Sequence, residues 1–314
     1  MNLTAAIKRQ ALDIGFDLVG IVRPEKLTEE ATRLRAWLDR GFVGTMEWME
    51  SGFDKRTDPT VYVPEARSVV CVALNYYTTH PTQDRPGYGK VSRYAWGDDY
   101  HQVVGEQLDS LLNWICEQEP ACVGKISVDT SPVMDKAWAA RAGLGWIGKH
   151  SNLIHPNFGS WLFLGELFLN LELECQETPV ADHCGTCTLC IESCPTDAIA
   201  EPYVVDARKC ISYQTIEFRG EELEAETAGW IFGCDICQDV CPWNRFAKET
   251  HVTAFQPRPE LVSLSLDELS SMTEEEFRAI SKKSAVRRAK HRGMVRNAKH
   301  VRSRSKQAEG GSTS

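Results

Sequence analysis

Eight of the chain's twelve cysteines lie between Cys184 and Cys241, and this density constrains the protein more than any other feature of the sequence. Closely spaced thiols are held either by disulfide bonds or by metal. The first residues contain no apolar core long enough for a signal peptide, and no run approaches the roughly 20 apolar residues of a membrane span. We therefore expect a soluble, cytosolic protein, in which such cysteines indicate metal or redox chemistry.

The spacing of the cysteines favours two 4Fe–4S clusters. Cys184 opens the pattern C-x2-C-x2-C-x3-C-P, and Cys234 opens C-x2-C-x3-C-P, with Cys210 upstream as the missing member of the second set. A zinc site uses two C-x2-C pairs and has no use for a third closely spaced cysteine. In two-cluster ferredoxins the fourth cysteine of each run ligates the other cluster. This rule predicts one cluster on Cys184, Cys187, Cys190 and Cys241, and another on Cys194, Cys210, Cys234 and Cys237.

Helix and strand signals alternate ahead of these cysteines, so we expect an α+β fold. Helices are predicted over 3–15, with Thr4 at the start, and over 28–41, capped by Thr28. A β-prone run covers 68–77, and an amphipathic helix covers 100–118. Three parts follow: an α/β domain over residues 1–175, a bacterial ferredoxin-like module over 176–250, and a helical, basic region over 251–314. We expect the last stretch of that region, 305–314, to be disordered.

Charge is unevenly distributed along the chain. The net charge is −9, yet residues 278–306 hold twelve Lys/Arg and no Asp/Glu, which leaves 23 basic against 44 acidic residues elsewhere. A basic end on an acidic body suits a polyanionic partner that docks there. A solvated tail that keeps the protein soluble accounts for the same pattern, and charge alone does not separate the two.

The first domain carries no flavin or nicotinamide fingerprint. The glycines of "GLGWIG", residues 143–148, follow a predicted helix instead of the strand that a dinucleotide motif needs, so they are interpreted as a helix end with a tight turn. In "DDYHQVVG" the spacing from Asp99 and His101 to Gly105 misses the motif for histidine ligation of cobalamin by one residue. Asp135 follows a predicted helix start at Ser131–Pro132. There it either stabilises the helix or, if burial raises its pKa, donates a proton in a pocket.

Taken together, these segments resemble the epoxyqueuosine reductases, cobalamin-dependent enzymes that complete queuosine in tRNA. The resemblance runs from about Leu3 to Val295 and rests on "DTSPVMDKAWAARAGLGWIGKHSNLI", "GSWLFLGEL", "CGTCTLCIESCPTDAI", "CISYQTIE" and "GCDICQDVCPWN". It implies a reductive-dehalogenase-like cobalamin domain joined to the two-cluster module. It also implies base-off cobalamin without a protein histidine on cobalt. The reaction reduces epoxyqueuosine to queuosine in the anticodon loop.

The resemblance also implies roles for individual residues. The proton donor falls on Asp135, and Arg141 is placed against the modified nucleoside. The implied corrin contacts are Arg56, Asp98, Asp135, Ser160, Asn170 and Tyr213. The implied partners are tRNA carrying epoxyqueuosine and a low-potential electron donor of unspecified identity. We expect a monomer that does not engage a membrane.

One departure from the family concerns the C-terminal region. Many members continue through HEAT-like helical repeats that grip tRNA, whereas here such a segment starts near residue 287 and stops soon after. The tRNA grip is therefore expected to rely more on basic residues, namely Arg287, Arg288, Arg292 and Arg296.

Two other functions fit the same cysteines. A cobalamin-dependent reductase of a small epoxide or organohalide would keep the clusters and the corrinoid but would not need the basic end. A ferredoxin-type electron-transfer subunit would need neither cobalamin nor an acid in a pocket.

Overall fold

The computed structural model describes residues 2–79, 84–175, 178–223 and 225–310, with side chains described as far as residue 304 in the last helix. The helices are α1 Leu3–Ile14, α2 Thr28–Asp39, α3 Trp48–Ser51, α4 Phe53–Thr57, α5 Pro59–Tyr62, α6 Tyr100–Gln118, α7 Asp135–Arg141, α8 Leu189–Glu192, α9 Ile211–Ile216, α10 Ile236–Asp239, α11 Pro259–Val262, α12 Leu266–Ser271, α13 Glu274–Ile280 and α14 Lys290–Gly310. The strands are β1 Leu18–Val22, β2 Ser68–Asn75, β3 Lys90–Val91, β4 Gly124–Ser127, β5 Trp146–Ile147, β6 Leu153–Ile154, β7 Leu162–Leu169, β8 Ile199–Glu201, β9 Val204–Val205 and β10 Trp230–Phe232. Short 3₁₀ turns cover Arg93–Ala95, Pro242–Phe246, Thr253–Phe255 and Ala285–Ala289.

A four-stranded sheet organises the first half of the chain. Its strand order is β1-β2-β7-β4, and every neighbouring pair is antiparallel. All of β2 is buried, as expected for a strand that is flanked on both sides and covered on both faces. Glu166 of β7 lies directly opposite Cys71 of β2 and Ser127 of β4.

The two faces of the sheet hold separate hydrophobic cores. Successive side chains of a strand point to opposite faces. Phe163 and Leu167 of β7 join the core that packs with α1 and α6. Phe168 instead joins the core that contains Trp138 of α7. Glu166 alternates in step with Phe168, so its side chain lies on the face that α7 covers.

The C-terminal helices share a further core with residues that precede the cysteines. Val91 and Trp96 pack with Phe232 of β10 and with α12, α13 and α14. This packing joins the predicted first and third parts of the chain, although the three-part division itself stays a prediction. Within the described residues, no helix is long and apolar enough to cross a bilayer.

Several predicted helix ends need correction. The cap of α1 is Asn2, not Thr4, because the Asn2 side chain accepts a hydrogen bond from the Thr4 N–H. Thr28 is already helical in α2, and the preceding residue makes no side-chain cap. The helix predicted from Ser131–Pro132 begins only at Asp135. The disordered tail is wrong as far as residue 310, since α14 reaches Gly310; residues 311–314 lie outside the described part.

Candidate functional site

Cys184, Cys187, Cys190 and Cys241 surround one cavity. Burial, followed by the charges of the other three thiols, raises the pKa of Cys190 to about 11. The C-x2-C-x2-C turn supplies three of the four sulfurs, and the chain after α10 supplies the fourth. The structure thus brings together the first set that the ferredoxin rule predicts.

The second predicted set also lies together. Cys210 and Cys194 lie near Cys234. Burial is the largest cause that raises the pKa of Cys234 to about 12, and the charges of these two thiols add to it. Cys237 is near both Cys234 and Cys210, and its pKa is raised mainly by burial. Cys190 of the first set also acts on Cys237, so the two sets are neighbours.

Side chains from the first domain hold and cover the first set. Lys149 donates hydrogen bonds to the carbonyl oxygens of Gly185 (2.7 Å) and Cys187 (2.8 Å), which fixes the cysteine turn. Trp146 stacks edge-on against Trp243, with ring centroids 5.0 Å apart. Among the described residues, no group of three or more His, Cys, Asp or Glu side chains converges on a single metal ion. The four cysteines instead line a space between them.

Asp135 is the first residue of α7, the helix that covers one face of the central sheet. It is only partly accessible to solvent, and burial raises its pKa to about 6. The backbone N–H of Asp129 donates to Asp135 Oδ1 at 3.3 Å, and the Asp129 carboxylate adds a smaller upward push on the same pKa. Asp135 therefore combines the helix-start position with the burial that a proton donor needs.

Beneath Asp135, the sheet contributes a second acid. Glu166 is 0 % exposed, and neither carboxyl oxygen has a hydrogen-bond partner among the described residues. Asp135 and Ser127 lie near Glu166 but form no hydrogen bond with it. Burial raises the pKa of Glu166 well above its usual value, and the charge of Asp135 adds to this effect. Two carboxyl groups of unequal pKa thus face each other between α7 and β7.

A chain of polar contacts extends from Asp129. Asp129 Oδ2 accepts a hydrogen bond from the Tyr100 hydroxyl at 2.8 Å and lies 3.2 Å from His101 Nε2. His101 Nδ1 lies 2.7 Å from Asp99 Oδ1. Burial opposes protonation of His101, but its hydrogen bonds to the two aspartates outweigh burial and raise its pKa to about 9. Both ring nitrogens of His101 therefore have carboxylate partners, in keeping with the failed histidine-ligation motif.

An open cavity of about 380 Å³ lies beside this acid cluster, and the basic C-terminal segment forms part of its wall. The Arg56 guanidinium lies 5.1 Å from the Trp48 ring in that wall, and the charges of Asp135 and Asp129 act on it. The cavity is lined by Thr45, Met46, Trp48, Glu217, Arg219, Arg287, Arg288 and Lys290.

A close backbone approach shapes the cavity wall. The Tyr213 hydroxyl is 2.8 Å from the Thr45 N–H, which donates to it, and 2.9 Å from Thr45 Oγ1. Gly44 has φ +61°, and a Cβ there would lie 2.4 Å from the Tyr213 hydroxyl. Only glycine allows the chain to pass this close to the Tyr213 ring.

The other residues that the resemblance implied lie at different places. Arg56 and Tyr213 contact residues that line the cavity: Arg56 lies over Trp48, and Tyr213 accepts a hydrogen bond from Thr45. Asp98 is 3.7 Å from Arg258, and the Asn170 amide bonds to the backbone of the 121–123 loop. Ser160 is buried against Asn244 and Gln238 beside the cysteine module. Each of these three has partners within the chain, and their corrin contacts stay predictions.

Arg141 lies at the opposite end of α7 from Asp135. Its guanidinium bonds to both carboxylate oxygens of Glu30, at 3.3 and 2.9 Å. The structure thus gives Arg141 a role in joining α7 to α2, and its contact with a nucleoside stays a prediction.

The basic residues expected to grip tRNA are not equivalent. Arg296 donates to the carbonyl oxygens of Gln214, Phe218 and Gly220, and burial lowers its pKa to about 10. Arg288 forms two 2.8 Å hydrogen bonds with Glu217, and Arg292 pairs with Glu221. Arg287 and Lys290 line the open cavity.

Sequence reasoning missed Glu166 and Asp129. An acid in the middle of "LFLGELFL" is itself a signal, because a buried strand excludes charge. Asp129 gave no such signal. Its role depends on a left-handed turn, at φ +50°, that directs its backbone N–H toward Asp135.

The antiparallel sheet, the paired cysteine sets and the open cavity near the acid cluster define an iron–sulfur oxidoreductase. A family model described as epoxyqueuosine reductase QueG, DUF1730, matches residues 56–130, and one described as a 4Fe-4S double cluster binding domain matches residues 183–244. The epoxyqueuosine reductase of Cellulophaga algicola is 48% identical over 294 residues, which cover 93% of this chain and 95% of that one. That of Synechocystis sp. is 48% identical over 275 residues, 86% of this chain and 94% of that one.

Solved structures agree with these relatives. The crystal structure of epoxyqueuosine reductase with an epoxyqueuosine-modified tRNA-Tyr stem loop has a TM-score of 0.89 and 29% identity, covering 98% of this chain and 82% of that one. The Bacillus subtilis enzyme, solved with its aspartate-bearing catalytic loop swung out of the active site, has a TM-score of 0.90, 29% identity and the same coverage. The chain belongs to the epoxyqueuosine reductase family.

Proposed function

We propose that the protein reduces epoxyqueuosine to queuosine in the anticodon loop of tRNA, the last step of queuosine biosynthesis, using cobalamin supplied with electrons by two 4Fe–4S clusters. The observation that carries the proposal is a half-buried acid, Asp135, that acts on Arg56 beside the open cavity and adjoins Lys136, on which Cys210 and Cys237 act. A pure electron-transfer subunit has no need of this acid cluster. The basic wall of the cavity favours tRNA over a small epoxide or organohalide.

The residues present fit the proposed clusters. Four thiols around one cavity suit a cubane, which takes one cysteine at each iron. Cys184, Cys187, Cys190 and Cys241 would hold one cluster, and Cys194, Cys210, Cys234 and Cys237 the other. The second set lies nearer the acid cluster, because Cys210 and Cys237 act on Lys136, the neighbour of Asp135. Electrons would therefore pass from the first set to the second and then to the cavity.

The open cavity fits a corrinoid. Its exposed Trp48 ring offers an apolar face, and Thr45 together with the cationic side chains offers groups for amides and a phosphate. Arg56 Nε is buried without a hydrogen-bond partner in the described structure, next to that ring. We propose that the corrinoid binds base-off and without a protein histidine on cobalt; the pairing of His101 with two carboxylates supports the second part of this proposal.

The chain's own contribution to the reaction is proton donation and placement. Removing the epoxide oxygen as water consumes two electrons and two protons. Bound cobalamin supplies the strongly reducing centre that this deoxygenation needs. As the ring opens, Asp135 protonates the oxygen that develops negative charge. The neighbouring Arg56 stabilises the aspartate that remains.

The electron donor is proposed to dock over the first cysteine set. Leu189, Tyr203 and Phe246 are each more than two-fifths exposed. In the sequence, Leu189 lies between Cys187 and Cys190 of the first set. Tyr203 is close enough to Cys184 for that thiol to raise the pKa of its hydroxyl. Phe246 packs against Trp243, which lines the cavity between the four cysteines. These exposed apolar groups beside a redox centre suit a small protein that carries a low-potential electron. We further propose that the protein acts as a cytosolic monomer.

The direct test is incubation of the cluster-loaded, cobalamin-loaded protein with epoxyqueuosine-containing tRNA and a reductant, followed by nucleoside analysis. Queuosine should accumulate. If queuosine does not form while a small epoxide or organohalide is reduced, the alternative reductase is the better description. If the protein retains no corrinoid, a plain electron carrier is the better description.

A further inference from the structure

Glu166 is a buried acid that the reaction described above does not use. It lies in the middle of β7, on the sheet face that α7 covers, and both of its carboxyl oxygens are fully buried without a hydrogen-bond partner in the described structure. Its partner across the strand, Ser127, is 1 % exposed, and its hydroxyl likewise has no partner there. An ionised carboxylate in this position would be strongly unfavourable, because no donor or cation compensates for its lost hydration.

The surroundings of Glu166 favour its neutral form. The charged groups that act on it are Asp135 from α7 and Asp129 from the preceding turn, and both are acids. Ser127 of β4 is the remaining polar group facing it. A neutral carboxyl carries one O–H donor. The nearest group that gains from such a donor is the Asp135 carboxylate.

We propose that Glu166 is a neutral, protonated positioning residue that donates a hydrogen bond to Asp135 and holds that aspartate at the reaction site. The proposal rests on the proposed function, in which Asp135 is the proton donor. Asp135 acts directly on Glu166, and its carboxylate is the acceptor for this hydrogen bond. Asp135 is then fixed from two sides, by Glu166 from the sheet and by the Asp129 N–H at 3.3 Å.

This contact also tunes the acid strength of Asp135. A hydrogen bond to an ionised carboxylate favours the ionised form and lowers the pKa. Burial has the opposite effect and dominates, so that the pKa of Asp135 settles at about 6. Without Glu166, the largest influence that lowers this pKa is lost, and Asp135 would release its proton less readily.

The test compares Glu166→Gln with Glu166→Leu in the cluster-loaded, cobalamin-loaded protein. Glutamine keeps the shape, the absence of charge and an N–H donor, so turnover and its pH profile should stay within about twofold of wild type. Leucine removes the donor, so turnover should fall about 10- to 100-fold. The pH at which the remaining activity declines should rise by about one to two units. Iron and corrinoid contents serve as the folding control.

A second readout does not depend on turnover. Infrared spectra of the wild-type protein at neutral pH should show a carboxylic-acid C=O band that is absent from Glu166→Gln and persists in Asp135→Asn. Loss of turnover in Glu166→Gln comparable to that in Glu166→Leu would overturn the proposal, because a transferable proton would then be required. Wild-type behaviour of both variants, or absence of the band, would overturn it as well. If the band is present but wild-type protein makes no queuosine, the proposed function fails instead.

Discussion

At the scale of single residues, Asp135 is the group on which the chemistry depends. Its first helical position would suit an ordinary capping carboxylate, but burial raises its pKa to about 6. A carboxyl with that pKa still carries a proton in part of the population near neutral pH, which an ordinary surface aspartate does not. This is the property required of a general acid.

We expect Asp135→Asn to keep both clusters and the corrinoid and to lose about 100- to 10,000-fold in turnover, the typical effect of one positioned acid. Because the protonated form is the active one, wild-type turnover should fall as pH rises through about 6, and the asparagine variant should show no such decline. Single-turnover nucleoside analysis over this pH range measures both effects. Undiminished turnover would leave Asp135 with a structural role only.

The residues that the sequence predicted and those it missed differ in a physical way. The cysteine sets could be predicted from a local spacing rule. The rule is taken from two-cluster ferredoxins, so it already assumes the fold that brings the two cysteine-containing segments together. Glu166 and Asp129 have no such rule. Their contact with Asp135 is created by strand register and by a left-handed turn, which appear only when β7, β4 and α7 are assembled.

At the scale of elements, the first cysteine set is assembled from two segments that are distant in the sequence. Cys241 follows α10, yet it lies with the three cysteines of the turn around α8. Two Ser/Thr-x-x-Glu sequences in the C-terminal region illustrate the limit of local signals. Thr273 forms a complete capping box with Glu276, whereas Ser265 caps α12 without the reciprocal bond from Glu268. Local patterns locate an element, but tertiary packing decides which of its bonds form.

The two-segment assembly of the first set makes a prediction about Cys241→Ala. We expect this variant to lose iron from the first set and to keep the second cluster, so that iron content falls toward half of the wild-type value. Cys116→Ala is the matched control, because Cys116 packs at the edge of the first-domain core far along the chain from both sets, and it should keep the full content. Iron and sulfide assays with electron paramagnetic resonance distinguish the clusters. Equal loss of both clusters in Cys241→Ala would contradict the assignment.

At the scale of the whole molecule, the acidic body and basic end are joined by specific contacts. Arg288 and Arg292 pair with Glu217 and Glu221, and Arg296 caps three carbonyl oxygens. Much of the basic segment therefore serves to fix α14 against the remainder of the chain. The basic end is visible in the sequence, but which of its arginines have acidic partners is not, because only the fold supplies those partners. Arg288 has such a partner and also lines the cavity.

This division predicts unequal effects on tRNA binding. Substituting Arg287→Ala and Lys290→Ala together should weaken tRNA binding and lower the slope of log affinity against log salt by about one for each residue, if each charge at the cavity neutralises one tRNA phosphate as proposed. Arg296→Ala should instead lower thermal stability, since its carbonyl partners would be left buried. Binding isotherms at several salt concentrations and thermal unfolding measure the two effects. An unchanged salt slope in the double variant would remove the cavity wall from the tRNA interface.

The proposed entry point for electrons gives the last prediction. Leu189 is 45 % exposed within the turn that carries the first cysteine set, and a protein donor docking there would cover it. Leu189→Glu should slow reduction of the holoenzyme by reduced flavodoxin about tenfold, the effect of losing one central apolar contact, and leave reduction by dithionite unchanged. Val123→Glu is the control, because Val123 is 60 % exposed, directly precedes β4 and belongs to neither cysteine set. If both variants react with flavodoxin at the wild-type rate, the donor enters elsewhere, because an introduced charge under a docked partner must be desolvated.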